Sequence, residues 1–293
     1  MGISKYPSVV TTPESKTPYP SMLDFLCRRF PAISPDAWKK RISEGKVLDE
    51  SAQQITLDSK YTPLQRIYYF REVASEPLIP FTESILFIDD NILVACKPHF
   101  LPVTPGGRYV DECLLNRLRC STDIADLAPL HRIDRETAGL VLFSVNKKSR
   151  GEYARLFMNG LVTKTYQAVS ASVPTNRESY WNIESRIERG VPWFRMQTAP
   201  GSINARSIIH LTGIKGTKAL FTLYPQTGKT HQLRIHMSSI GFGILNDRFY
   251  PELQDECEDD FDRPLQLIAK ELRFTDPRSG REKIFSSERQ LLW

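Results

Sequence analysis

No run in this sequence approaches the roughly 20 consecutive apolar residues that a membrane span requires. Residues 1–21 contain no apolar core, so they do not read as a signal peptide. They are rich in Ser, Thr and Pro, and a mobile tail is expected over residues 1–20. CxxC spacing is absent. The five cysteines (Cys27, Cys96, Cys113, Cys120 and Cys257) are scattered and odd in number. That argues against a zinc site and a disulfide framework, and suits the reduced thiols of a cytoplasmic protein. A phosphate-binding loop, a dinucleotide fingerprint and an HExxH zinc pattern are also missing. His231 and His236 are five residues apart, about 140° around a helix, and cannot share one ion from a single face. No metal and no cofactor are therefore expected. No internal repeat is present.

What is present suits an ordinary globular chain. The 293 residues allow one large domain or two unequal ones, with 41% hydrophobic and 25% charged residues. Net charge is +5. Glu252, Asp255, Glu256, Glu258, Asp259, Asp260 and Asp262 form an acidic cluster with no Lys or Arg among them, expected as a solvated loop. Setting those seven charges aside takes the rest of the chain from +5 to +12. A basic body suits a polyanion such as RNA, although the same charge also serves solubility.

Residues 21–71 read as a small module. Leu23, Leu26 and Phe30 have helical spacing up to Pro31. Ser34-Pro35 opens a second helix, which carries Trp38 and Ile42 and stops at Gly45. Residues 72–83 read as a linker ending at Pro77 and Pro80. From residue 84 onward, strands dominate: a hairpin around Asp89-Asp90-Asn91, a buried strand at 139–145, and alternating segments at 162–169, 194–198, 205–212 and 219–225. Isolated helices near Leu114, at 147–160 and after Thr230 interrupt them. The expected class is α+β, with a mainly antiparallel mixed sheet flanked by helices and a small N-terminal α+β module.

The most informative stretch is His131-Arg132-Ile133-Asp134-Arg135-Glu136-Thr137-Ala138-Gly139-Leu140. It places one short acid between two arginines, just before a buried strand. Arginine neighbours favour the charged carboxylate, which can serve as nucleophile or general base. A surface ion pair of little energetic consequence explains the same residues equally well.

This stretch resembles the His-Arg-Leu-Asp-x-x-Thr-Ser-Gly-Leu motif of the RluA family of RNA pseudouridine synthases, with Ile133 for Leu and Ala138 for Ser. Two further segments follow in the family's order. Lys164-Thr165-Tyr166-Gln167-Ala168-Val169 resembles its Lys-x-Tyr-x-Ala-Val strand. Thr227-Gly228-Lys229-Thr230-His231-Gln232-Leu233-Arg234-Ile235-His236 resembles its Thr-Gly-Arg-Thr-His-Gln-Ile-Arg-Val-His helix. The chain departs from the family at Asn246-Asp247 (Gly-Asp in relatives) and Ile268-Ala269 (His-Ala in relatives), differences that read as structural.

The resemblance implies a catalytic domain over residues 84–293 that isomerises uridine in structured RNA, ribosomal or transfer, to pseudouridine. Asp134 would be the catalytic residue, attacking the sugar or removing a ribose proton. Arg132 would fill the space left by the extruded base and contact phosphate, Tyr166 would lie against the base, and Arg234 would pair with Asp134. The resemblance also implies that residues 21–71 are an RNA-binding module like that of a ribosomal small-subunit protein, its second helix presenting Lys39, Lys40, Arg41 and Lys46. A cytoplasmic monomer is expected. Two alternatives remain open at this point. One is a catalytically inactive RNA-binding or ribosome-assembly protein. The other is a hydrolase with paired carboxylates, for which only Glu136 lies near Asp134.

Overall fold

The structure is a computed structural model that describes every residue except 1, 15–18, 74, 176–177 and 256–257. Thr17 and Pro18 of the expected tail, Glu256 of the acidic cluster and Cys257 thus lie outside the described residues. The chain divides into two compact units, residues 1–77 with 106–111, and residues 78–105 with 112–293. Among the described residues, no helix is long and apolar enough to cross a membrane.

The first unit contains β1 (Gly2–Ile3), β2 (Ser8–Thr11), α1 (Met22–Arg29), α2 (Pro35–Ser43), β3 (Val47–Leu48), β4 (Arg66–Tyr69) and β5 (Glu72–Val73). Both helices start on a serine cap: Ser21 accepts from the Asp24 amide and Ser34 from the Ala37 amide, with Pro35 in the first turn. Met22, Phe25 and Leu26 of α1 bury one stripe against Trp38, Ile42, Val47 and Ile67. Leu23 and Phe30, expected on that stripe, lie at its margin.

Two expectations fail here. Residues 8–11 belong to no mobile tail, because β2 pairs antiparallel with β4 from Ser8↔Tyr69 to Thr11↔Arg66. The reason is composition: the β-branched pair Val9-Val10 lies between Ser8 and the β-branched Thr11, which suits a strand. The basic residues around α2 are also already partnered within the unit. Lys39 pairs with Asp36, Lys40 with Glu44, Arg41 with Glu72, and Lys46 with both Glu44 and Glu72. Glu72, expected in a linker, is the anchor for two of them. Lys39 and Lys40 are exposed, but Arg41 is buried and cannot present itself to a polyanion.

The second unit runs through β6 (Ser84–Ile88), β7 (Ile92–Lys97), α3 (Leu114–Thr122), β8 (Ala128–Pro129), β9 (Ala138–Ser144), α4 (Arg150–Met158), β10 (Thr163–Ser170), β11 (Tyr180–Arg189), β12 (Met196–Ala199), β13 (Ala205–Lys215), β14 (Lys218–Pro225), α5 (Gln232–Ser239), β15 (Leu267–Thr275) and β16 (Glu282–Ser286). One sheet takes all its strands, in the order β12-β11-β13-β14-β10-β15-β9-β7-β6, with β16 on β15 and β8 on β9. Every pairing is antiparallel except β9 with β15. The fold is therefore α+β, with a large, mostly antiparallel sheet. β11 lies outside the strands expected from sequence, although Trp181, Ile183 and Ile187 alternate with polar residues along it.

Two apolar clusters hold the sheet. Ile92, Val94, Leu140, Leu142, Tyr153 and Leu156 pack α4 on β7 and β9. Phe221, Leu223, Leu233, Met237 and Ala168 pack α5 on β10 and β14. The loop before β9, the strand β10 and the helix α5 carry the three motifs. The sheet order puts β10 one strand away from β9, with β15 between them.

Candidate active site

The glycine of the first motif has a steric reason. Gly139 sits opposite Ala269 in the parallel β9–β15 pair with φ +110°, and a Cβ there would lie 2.2 Å from the Ala269 carbonyl oxygen. Only glycine permits so close an approach. The loop entering β9 is then fixed from several sides. The Leu142 amide donates to His131 Nε2 at 3.1 Å, and the His131 ring stacks on Phe157 with centroids 4.7 Å apart. His99 Nδ1 donates to the Glu136 carbonyl at 2.7 Å. Lys97 Nζ, wholly buried, donates to the carbonyls of Pro98, Leu101 and Arg135 at 2.9, 2.6 and 3.0 Å. Burial pulls the Lys97 ammonium down to about 7.

On this loop the Asp134 side chain is 23% exposed, and its Oδ2 stands 3.7 Å from Arg234 Nη1. Glu136 Oε2 stands 3.6 Å from the same nitrogen. Arg234 itself is 1% exposed. Its Nε and Nη2 donate to Asp247 Oδ2 and Oδ1 at 2.8 and 2.6 Å, a bidentate fork onto a carboxylate with no exposed surface. Asp247 Oδ1 also accepts the amides of Phe249 and Tyr250. The guanidinium lies over the Phe249 ring at 4.8 Å and the Tyr250 ring at 5.5 Å. With two nitrogens committed to Asp247, Nη1 is left facing the Asp134–Glu136 pair, and it makes no hydrogen bond. Burial opposes the Arg234 charge, but the Asp247 hydrogen bonds and the three carboxylates outweigh it and hold the guanidinium above its ordinary range. Burial likewise raises Glu136, and Arg135 and Arg234 more than reverse this, leaving its carboxyl below the usual range.

Tyr166 approaches from β10. The β10–β15 register shifts between Thr165 and Tyr166, a bulge that re-aims the side chain. Burial and, secondarily, the Asp134 charge push its hydroxyl up, so it stays protonated at neutral pH. Arg132 is exposed and makes no hydrogen bond or ion pair among the described residues.

Asp134 and Arg234, from two of the motifs, thus face each other, Tyr166 of the third lies near enough to feel the Asp134 charge, and Arg132 is exposed two residues before Asp134 on the same loop. Arg135 goes elsewhere: it pairs with Glu136 and forks onto Asp259 at 2.8 Å through both terminal nitrogens. This corrects the reading of the acidic cluster as merely solvated, because the Asp259 side chain is 8% exposed and neutralises a cation of the motif loop.

The sequence assigns no role to three participants, Asp247, Lys97 and His99, and marks Glu136 only as a possible second carboxylate. Asp247 follows Asn246, whose φ of +65° looks like a turn signal, and nothing local marks its partner. Glu136 occupies a variable motif position. Lys97 and His99 end a hairpin far from the motif in sequence.

The buried histidines set the acid limit of this unit. Burial lowers His131 to about 3, and His99 and His236 to about 4. Their unfolded values lie near 6.5. Between those values the unfolded chain binds protons that the folded chain refuses, so stability must fall as pH drops from about 6.5 toward 4. The expected slope is up to about 1.4 kcal/mol per pH unit for each histidine. Denaturant midpoints at pH 7.5, 6 and 5 check this, and a flat series would contradict it.

Known proteins resemble this chain in sequence and fold. Residues 91–239 match the RNA pseudouridylate synthase family. An uncharacterized RNA pseudouridine synthase of Synechocystis is 30% identical over 78% of this chain and 79% of its own length. The dual-specificity RNA pseudouridine synthase RluA of Haemophilus influenzae is 28% identical over 72% of this chain and 95% of its own. The solved human RNA pseudouridylate synthase domain containing 1 shares the fold, with TM-score 0.59 and 23% identity over 73% of this chain and 86% of that one. The chain belongs to the RNA pseudouridylate synthase family, of the RluA type. It is an isomerase that converts uridine in RNA to pseudouridine, and the inactive alternative is not favoured.

Proposed function

We propose that Asp134 is the catalytic carboxylate of this isomerisation and that the substrate is a folded ribosomal or transfer RNA. One observation carries the assignment: Asp134 is a partly open carboxylate facing the single uncommitted nitrogen of a buried arginine. The reaction breaks the bond from the uracil ring nitrogen to the sugar and joins the sugar to C5; C5 gives up its proton to solvent and the freed ring nitrogen takes one up. Atoms and electrons balance without a redox partner. Asp134 is placed to attack the sugar or to take a ribose proton. Arg234 holds the carboxylate in position. Tyr166, protonated and set on a bulge, packs on the base. The target must leave the stack, which costs a few kcal/mol. Arg132, exposed and unpaired, is suited to fill the gap and meet phosphate.

The N-terminal unit is proposed as an auxiliary RNA contact. Its cations without an ion pair among the described residues include Arg28 and Arg29 at the end of α1, which lie over the Tyr19 and Phe30 rings. A monomer acting in the cytoplasm completes the proposal. The test uses purified full-length protein with ribosomal and transfer RNA carrying tritium at uridine C5. Release of tritium to water is expected from at least one RNA class, and retention in both would overturn the substrate assignment.

A further inference from the structure

The hairpin between β11 and β12 exposes what a folded chain normally hides. At its tip Val191 is 90% and Trp193 is 75% exposed, and Phe194 follows them at the surface. Consecutive large apolar side chains in water are costly unless something covers them.

This tip is nevertheless rigidly held. Gly190 donates to the Arg195 carbonyl and Arg195 to the Pro192 carbonyl, each at 2.9 Å. The Tyr250 hydroxyl accepts from the Met196 amide at 2.8 Å and donates to the Met196 carbonyl at 3.0 Å.

The same tip connects to the active site ring by ring. Trp193 meets Phe194 at 6.0 Å, and Phe194 meets Phe249 at 5.3 Å. Phe249 supports the Arg234 guanidinium at 4.8 Å, and Arg234 Nη1 faces Asp134 at 3.7 Å. At the hairpin base Arg186 is paired with Glu188. Arg189 is exposed, with no ion pair among the described residues.

We propose that this hairpin is a base-stacking platform for the substrate RNA: Trp193 stacks on an unpaired nucleobase flanking the target uridine, and Arg189 meets the neighbouring phosphate. RNA is the occupant because a chain of ring contacts joins the tip to the site where a uridine must be held. An exposed ring and an exposed arginine on one hairpin also match what an unstacked strand offers, a π-face and a phosphate. A preformed ring needs little ordering when the base arrives. The proposal rests on Asp134 marking the position of the target.

The experiment compares wild type, Trp193→Ala, Trp193→Phe and Arg189→Ala on one RNA, by tritium release and by equilibrium binding. Trp193→Ala is expected to raise KM and Kd roughly tenfold, with turnover at saturation and melting temperature unchanged. Trp193→Phe should restore most of the affinity. Arg189→Ala should weaken binding and reduce the salt slope by about one. An unchanged Kd for Trp193→Ala overturns the proposal, as does a Phe variant as weak as the Ala variant. Conversion of a dimer to a monomer by Trp193→Ala in sedimentation also overturns it, by making a second copy of this chain the occupant. If wild type binds the RNA but releases no tritium, the catalytic assignment fails while the binding series still decides the stacking.

Discussion

Asp134→Asn is expected to cut turnover by at least about a thousandfold and to leave RNA affinity and melting temperature near those of the parent. Removing a reacting side chain costs roughly 10⁴- to 10⁶-fold in well-studied enzymes, because no neighbouring group replaces its chemistry. Asn has the same shape, so the loop held by Lys97, His99 and His131 stays in place. The lost contact with Arg234 is a 3.7 Å ion pair at a partly open position, worth less than about 1 kcal/mol. Arg234 also keeps its fork on Asp247 and its neighbour Glu136. Single-turnover tritium release with saturating enzyme reads the chemical step alone. A variant that makes pseudouridine at the parent rate sinks the assignment.

Arg234→Met is expected to be the most destabilising change at the site. It leaves Asp247, a carboxylate with no exposed surface, facing an apolar side chain. Breaking one side of a buried pair typically costs 3–5 kcal/mol, about 10 °C in melting temperature for a chain of this size. The amides of Phe249 and Tyr250 still donate to Asp247 and keep the loss toward the lower end. Arg234→Lys should not rescue it, since a single ammonium cannot fork onto Asp247 and also face the Asp134–Glu136 pair. Arg234→Met combined with Asp247→Asn should regain much of the stability, because no uncompensated charge remains, while activity stays lost. A single variant melting within about 2 °C of the parent would show that this arginine is not the keystone its burial suggests.

The way this site is assembled explains which parts of it could be read in advance. Asp134, Tyr166 and Arg234 lie in three short runs that match one family's pattern residue by residue. Asp247 is legible only as the second residue of Asn246-Asp247, where relatives have Gly-Asp, with nothing to say what it holds. It becomes a functional group only because the turn at Asn246 delivers it under α5, 13 residues after Arg234. Charge was the least legible property. The basic run around α2 looked free, yet Asp36, Glu44 and Glu72 already answer it, and Arg135 looked like a partner of Asp134 until Asp259 proved to hold it. Counting charges along a chain cannot show which of them neutralise one another across the fold.

From the sequence alone came the α+β class, the order of the three motifs and the proposal that Asp134 is the catalytic acid. The class depends on periodicity, and the motifs and the acid on a residue-by-residue likeness to one family. The tertiary structure alone decided that β9 must carry a glycine to lie against β15, and that Arg234 has one nitrogen left for Asp134. It also decided that the exposed hairpin tip is linked through Phe249 to that arginine. Each of those is a distance between residues far apart in the chain, and it takes a value only once packing has brought them together.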